Sequence, residues 1–230
     1  MKFDTPLIRA TLIRRYKRFL ADVTLNDGRE VTAHVANPGS MLGMKHEGLQ
    51  VWLEPNDDPK RKLKFSWKLA ELENGTLIGV DTSLTNKIVA EALENGLAAK
   101  LGYSHVQPEV KYGENSRVDF LLSGEDQPDC YLEVKSVTLS RSTGLAEFPD
   151  SVTKRGTKHM KELAHMVEQG HRAILLYLVQ RNDANKFAVA GDIDPAYQQA
   201  VIKAKAAGVK VLCYVTKITT DGISLEKSIT

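Results

Sequence analysis

The chain has 230 residues, 42% hydrophobic and 26% charged, with a net charge of +2. That balance excludes a disordered or fibrous chain and suits one large or two small folded domains. No apolar run approaches the roughly 18–20 residues that cross a bilayer, and the start Met-Lys-Phe-Asp-Thr-Pro is no signal peptide, so no membrane association and a cytoplasmic location are expected.

Up to about residue 80 the pattern alternates with period two and is broken by turns. The runs 20–25 and 30–35 flank Asn26-Asp27-Gly28-Arg29, where Asp-Gly is a strong hairpin signal. Leu49, Val51 and Leu53 alternate, as do Leu63, Phe65, Trp67 and Leu69, and residues 76–80 close the series. About five short strands without a helix suggest a small barrel of the oligonucleotide/oligosaccharide-binding (OB) type. An SH3-like barrel fits the pattern nearly as well.

After residue 80 the period changes. Residues 86–101 read as a helix ending near Gly102, with Leu84, Ile88 and Glu91 on one face. Strand-like runs follow at 106–111, 118–122 and 131–137. A helix over 157–168 stopped by Gly170, an apolar strand 173–179, a helix 196–207 and an apolar strand 209–215 complete the chain. Cys130 and Cys213 each sit in an apolar strand-like run and read as buried free thiols. The expected division is residues 1–81, an OB-like barrel, and residues 82–230, a mixed α+β domain.

The stretch 117–137 carries the chemistry. Asp119 lies on one short strand, Glu133 and Lys135 on the next, and a turn-rich link joins them. Alternation puts Glu133 and Lys135 on one face, with Leu132 and Val134 on the other. If Asp119 pairs opposite Glu133, two carboxylates and one ammonium converge. Such a cluster, with the Val134 carbonyl, suits Mg²⁺ or Mn²⁺, which takes hard oxygen ligands and few from the protein. Lys135 would position or deprotonate a water, or stabilise charge on the phosphate. Spacing and α-β-β-β-α-β order are those of the PD-(D/E)xK phosphodiesterase superfamily. The bland alternative is a salt bridge on a sheet edge.

Charge points mildly towards a polyanion. Residues 1–80 carry 13 Lys/Arg against 10 Asp/Glu, the remainder 18 against 19. In the first part Arg14, Arg15 and Arg18 are candidate phosphate contacts, with Tyr16, Phe19, Phe65 and Trp67 nearby to stack bases or fill the barrel. In the second, Arg155, Lys158 and His159 fall at an expected helix N-terminus, a ready anion site.

Residues 145–163, LAEFPDSVTKRGTKHMKEL, resemble a signature of the sugar fermentation stimulation protein A family. His34-Val-Ala-Asn-Pro-Gly-Ser-Met resembles a second block, and Arg117-Val-Asp-Phe-Leu with Leu132-Glu-Val-Lys-Ser-Val-Thr matches its catalytic-like centre. The resemblance runs from about Leu7 to the C-terminus. It implies an N-terminal OB-like domain, a C-terminal PD-(D/E)xK domain, and DNA binding with a link to regulation of sugar (maltose) utilisation. Pro38, Ser40 and Ser151 depart from the family's usual Thr, Arg and Ala. Glu91 matches an extra acidic metal ligand of many superfamily members, and Asp150 is a further acidic candidate, as a helix cap or loop ligand. Two classes follow: a Mg²⁺- or Mn²⁺-dependent nuclease, or a DNA-binding regulator that does not cut.

Overall fold

The structure, a computed structural model, describes residues 1–113 and 116–229. Its first six strands are β1 (Ile8–Tyr16), β2 (Leu20–Leu25), β3 (Glu30–His34), β4 (Gln50–Pro55), β5 (Phe65–Glu71) and β6 (Leu77–Gly79). Strand β1 pairs with both β2 and β4, and β3 meets β5 in parallel at Ala33–Phe65 and His34–Ser66. That pairing closes a five-stranded OB-like barrel, with β6 continuing the sheet beside β5. Closure removes the sheet edges. Strand β1 is not among the expected strands. Its buried Ala10 and Leu12 flank Thr11, but Ile13 and three arginines obscure the alternation.

Alternate residues of the strands fill the barrel: Leu12, Val23, Val51, Leu53 and Trp67 are all buried. Trp67 is wholly buried and donates its indole N–H to the Leu69 carbonyl at 2.8 Å. It is therefore core and cannot stack bases.

The second unit begins with a helical turn at Thr82–Leu84, capped by Asp81, and runs into α1 (Thr85–Ala92). The long helix expected over 86–101 is broken. Asn95 and Gly96 leave helical geometry, Gly96 at φ 104°, before a last turn α2 (Ala98–Lys100). Glycine takes that positive φ without the Cβ penalty other residues meet.

A six-stranded mixed sheet follows, in the order β15-β14-β12-β9-β8-β7. Its strands are β7 (His105–Tyr112), β8 (Ser116–Gly124), β9 (Gln127–Val137), β12 (Arg172–Val179), β14 (Lys210–Ile218) and β15 (Ile223–Ser228). Strands β9, β12 and β14 are parallel; β7, β8 and β15 are antiparallel additions. Helices α3 (Lys154–Glu168) and α4 (Pro195–Ala206) cover one face, over a core that includes Leu163, Leu175, Tyr177 and Val201. The other face packs on α1 through Ile88, Leu132, Ile174 and Leu176.

Strands β10 (Leu139–Ser142), β11 (Leu145–Phe148) and β13 (Lys186–Val189) form a small separate sheet that the sequence pattern does not announce. Four-residue strands are too short for a periodic signal.

The two units share apolar contacts. Leu69, Trp52 and Leu77 of the barrel, with Met1, Phe3 and Leu7 before it, pack into the core under α1. Gly79 donates its amide to the Gln180 carbonyl at 2.9 Å. Lys68, almost fully buried, lies between Asp81 at 2.6 Å and Glu54 at 3.1 Å. Among the described residues no helix is long and apolar enough to cross a membrane.

Candidate functional site

Strands β8 and β9 pair with Phe120 opposite Leu132, which brings Asp119 beside Glu133 in register. The ladder stops there because Asp119 uses its side chain instead. Asp119 Oδ2 accepts the Val134 amide at 2.6 Å, and Oδ1 accepts Asn86 Nδ2 of α1 at 2.8 Å. Two donors from two elements thus fix the carboxylate. Burial and the neighbouring Glu133 raise the Asp119 pKa, against the lowering effect of those two hydrogen bonds.

Leu132 and Val134 point into the core under α1. Glu133 and Lys135 take the other face, as alternation requires. Glu133 is 2% exposed. Its Oε1 accepts from Lys135 Nζ at 2.5 Å and from the imidazole Nδ1 of His159. Its Oε2 is buried without a hydrogen-bond partner. Burial pushes this carboxyl up, but the His159 hydrogen bond and the Lys135 charge outweigh it and hold it below the ordinary range.

His159 is buried, so it is not the exposed phosphate contact that its place at a helix start suggested. Thr153 caps α3, its hydroxyl accepting the Gly156 amide at 3.1 Å, so the helix starts at Lys154 rather than 157. His159 then falls on the inner face. Arg155 Nε donates to His159 Nε2 at 3.3 Å. That bond makes Nε2 the acceptor and leaves Nδ1 to donate to Glu133, which assigns the neutral Nδ1–H tautomer.

Asp119, Glu133, Val134, Lys135, Arg155 and His159 line one open cleft of about 290 Å³. Glu91 does not join them. It is five residues past Asn86, about 140° further around the helix at 100° per residue, and its carboxylate binds the Met1 ammonium at 2.9 Å. Asn86, which no acidic-ligand pattern selects, is the α1 residue that reaches the cleft. Gln180 also went unmarked in the sequence. It is fully buried after β12 and donates to Ser136 Oγ at 2.7 Å and Thr85 Oγ1 at 3.2 Å, both on the cleft wall.

The other basic candidates have mixed fates. Arg15 is not available to phosphate: its guanidinium donates to the carbonyls of Arg18, Asn37 and Gly39 and holds the 37–40 loop. Arg14 pairs with Asp22 at 2.9 Å and lies over the Tyr16 ring. Arg18 is exposed and lines a second hollow between barrel and sheet, with Lys154 and Arg155 on its other side. Lys158 is exposed on α3 and pairs with Glu162 at 3.5 Å. Asp150 is a loop ligand: its Oδ2 accepts the Met41 amide at 2.9 Å, and its carbonyl accepts the Ser40 hydroxyl at 2.8 Å.

Two carboxylates with a buried, unsatisfied oxygen and an adjacent main chain fit a cation that needs few protein ligands. Among the described residues no group of three His, Cys, Asp or Glu side chains is arranged to hold one.

A family model described as the sugar fermentation stimulation protein RE domain matches residues 83–222, and one described as the SfsA N-terminal OB domain matches residues 13–80. Relatives named sugar fermentation stimulation protein homolog include one from Ruegeria sp. (strain TM1040), 62% identical over 98% of this chain and 97% of its own. Another, from Roseobacter denitrificans, is 60% identical over 100% of this chain and 98% of its own. The structure of Pyrococcus furiosus SfsA in complex with Ca²⁺ superposes with a TM-score of 0.89 at 25% identity, covering 100% of this chain and 96% of that one.

Proposed function

Because the chain belongs to the sugar fermentation stimulation protein family, we propose that it binds DNA and hydrolyses phosphodiesters at a divalent-metal site on Asp119 and Glu133. The observation that carries this reading is the Glu133 Oε2 atom, buried beside a second carboxylate and left without a partner. A buried polar atom left without a partner is costly, and a cation removes the cost. The Ca²⁺ in the structure of Pyrococcus furiosus SfsA supports a divalent ion.

Asp119, Glu133 and the Val134 carbonyl would hold Mg²⁺ or Mn²⁺. Such an ion supplies charge to the phosphate oxygens and makes an attacking water more acidic. Asn86 keeps Asp119 aimed, and His159 keeps Glu133 aimed. Lys135, anchored on Glu133 as an ammonium, would orient the water and stabilise the charge that develops on the phosphate. Arg155 at the cleft edge receives the phosphate. Water adds across the P–O3′ bond, its oxygen joining phosphorus and a proton passing to O3′, which leaves a 5′-phosphate and a 3′-hydroxyl.

A second reading, a DNA-binding regulator of sugar (maltose) genes that does not cut, is favoured by the protein donors that already occupy both Asp119 oxygens and Glu133 Oε1. One experiment separates the two. The purified protein is incubated with end-labelled single- and double-stranded DNA and with RNA, in Mg²⁺ or in Mn²⁺. Cleavage that Glu133→Gln and Lys135→Ala each abolish, with binding retained, supports the nuclease. Binding without cleavage under every combination gives the regulator.

A further inference from the structure

The outer face of α3 is a row of basic side chains. Lys154, Arg155, Lys158, Lys161 and His165 are all exposed. Steps of three and four residues return to the same side of a helix, so Lys154, Lys158, Lys161 and His165 stand in line. Facing them is the β7–β8 hairpin, where Lys111 lies directly opposite Arg117 in the ladder. Both are exposed, and like charges so placed destabilise a strand pair. Among the described residues neither has an acidic partner within ion-pair distance, and the same is true of Lys154 and Lys161. A hollow of about 590 Å³ lies between α3 and Gly113, and a second of about 420 Å³ lies along the hairpin from Lys111 to Arg117; Gly113 lines both.

Acidic groups on this helix offset only part of the row, leaving Lys154 and Lys161. Glu162 is buried beneath it, accepting from Ser116 Oγ at 2.8 Å and pairing with Lys158. Glu168 meets His165 at 3.4 Å, at the far end. The near end is Arg155, which also lines the cleft of Asp119 and Glu133. From position 154 to 165 the helix rises about 16 Å, the length of about five phosphates along one strand of a duplex at 3.4 Å each.

We propose that this row is the track for the sugar-phosphate backbone of one polynucleotide strand. The strand lies along α3, with Lys111 and Arg117 on its other side, and reaches the carboxylate cleft at Arg155. Only that end point rests on the phosphodiesterase reading; the track itself rests on charge complementarity. It places the main electrostatic contact on the second unit and not on the barrel, where Arg14 and Arg15 are already engaged.

The test is the salt dependence of binding to a labelled duplex, measured in EDTA so that cleavage plays no part. Each phosphate neutralised contributes about 0.9 to the slope of log K against log salt, or about 0.7 on a single strand. Replacing Lys111, Arg117, Lys154 and Lys161 together by Gln should flatten the duplex slope by about 3.6 and weaken binding at low salt at least tenfold. Replacing Lys203 and Lys205, exposed on α4, should leave the slope unchanged. Circular dichroism and melting of each variant verify folding. An unchanged slope in the fourfold variant overturns the track, even if the parent protein cleaves. A flattened slope in a protein that never cleaves keeps the track and removes the phosphodiesterase.

Discussion

The Val134 amide donates to Asp119 Oδ2 at 2.6 Å, a side-chain acceptor taking over where the β8–β9 ladder ends. This bond locks one carboxylate beside a second, and burial with the Glu133 charge raises the Asp119 pKa. A carboxyl raised on folding works against the native state once pH exceeds its unfolded value of about 3.9. A bound cation should cancel that penalty. At a hundredfold excess over Kd, binding adds about 2.7 kcal/mol, or about 5–10 °C of melting temperature for a chain this size. Scanning calorimetry at pH 7 with Mn²⁺ or Mg²⁺ should show the rise, and EDTA should reverse it. The rise should vanish in Glu133→Gln. A metal-independent melting curve would remove the cation from this site.

Asp150 links the two units through the Met41 amide. Met41 is fully buried, so in Asp150→Ala its N–H loses its protein acceptor. The expected loss is about 1–3 kcal/mol. The 36–48 loop should become open to limited proteolysis, whereas Asp150→Asn, which keeps an acceptor, should resist. Equal cleavage of both variants would show that the Ser40 bond to the Asp150 carbonyl suffices.

These contacts show how much the chain disclosed in advance. The Asp119/Glu133/Lys135 cluster was legible because strand alternation is strict and its residue types are costly to bury for any other reason. The Glu91 expectation failed because sharing an apolar stripe does not say which way a helix faces; packing chose Asn86. His159 was misplaced because the Thr153 cap shifts the helix start by three residues, turning a surface histidine into a buried one. Arg15 resembled a phosphate ligand because backbone carbonyls are invisible in a composition count. Contacts between distant segments, such as Gln180 with Ser136, leave no local trace.

Acid should act through Arg141. Its guanidinium reaches Glu147 at 2.6 Å and Asp192 at 2.9 Å, joining the small sheet to the loop before α4. The Arg141 hydrogen bonds hold Asp192 down to about 2 and place Glu147 below its ordinary range. Both carboxylates have depressed folded values, so their contribution is present above about pH 4 and fades as pH falls towards 2. Arg141→Met should therefore lower stability at pH 6 and flatten its decline between pH 4 and 2, as read by urea midpoints. Parallel acid limbs in the two proteins would mean that solvent screening leaves these pairs without effect.

Gly79 lies behind the wall of the cleft that holds Asp119 and Glu133. A methyl group there would stand 2.7 Å from Gln180 Oε1. Gln180 is fully buried and tied to Ser136 and Thr85, so it has little room to yield. Gly79→Ala should cost about 1–3 kcal/mol by overpacking. It should also shift Ser136 beside Lys135, lowering any cleavage rate while the salt slope of binding stays at the parent value. Pairing it with Gln180→Ala, which removes the clashing atoms, should restore much of the stability lost in the single variant. If Gly79→Ala melts and cleaves like the parent, the Gln180 side chain moves freely and does not brace the site.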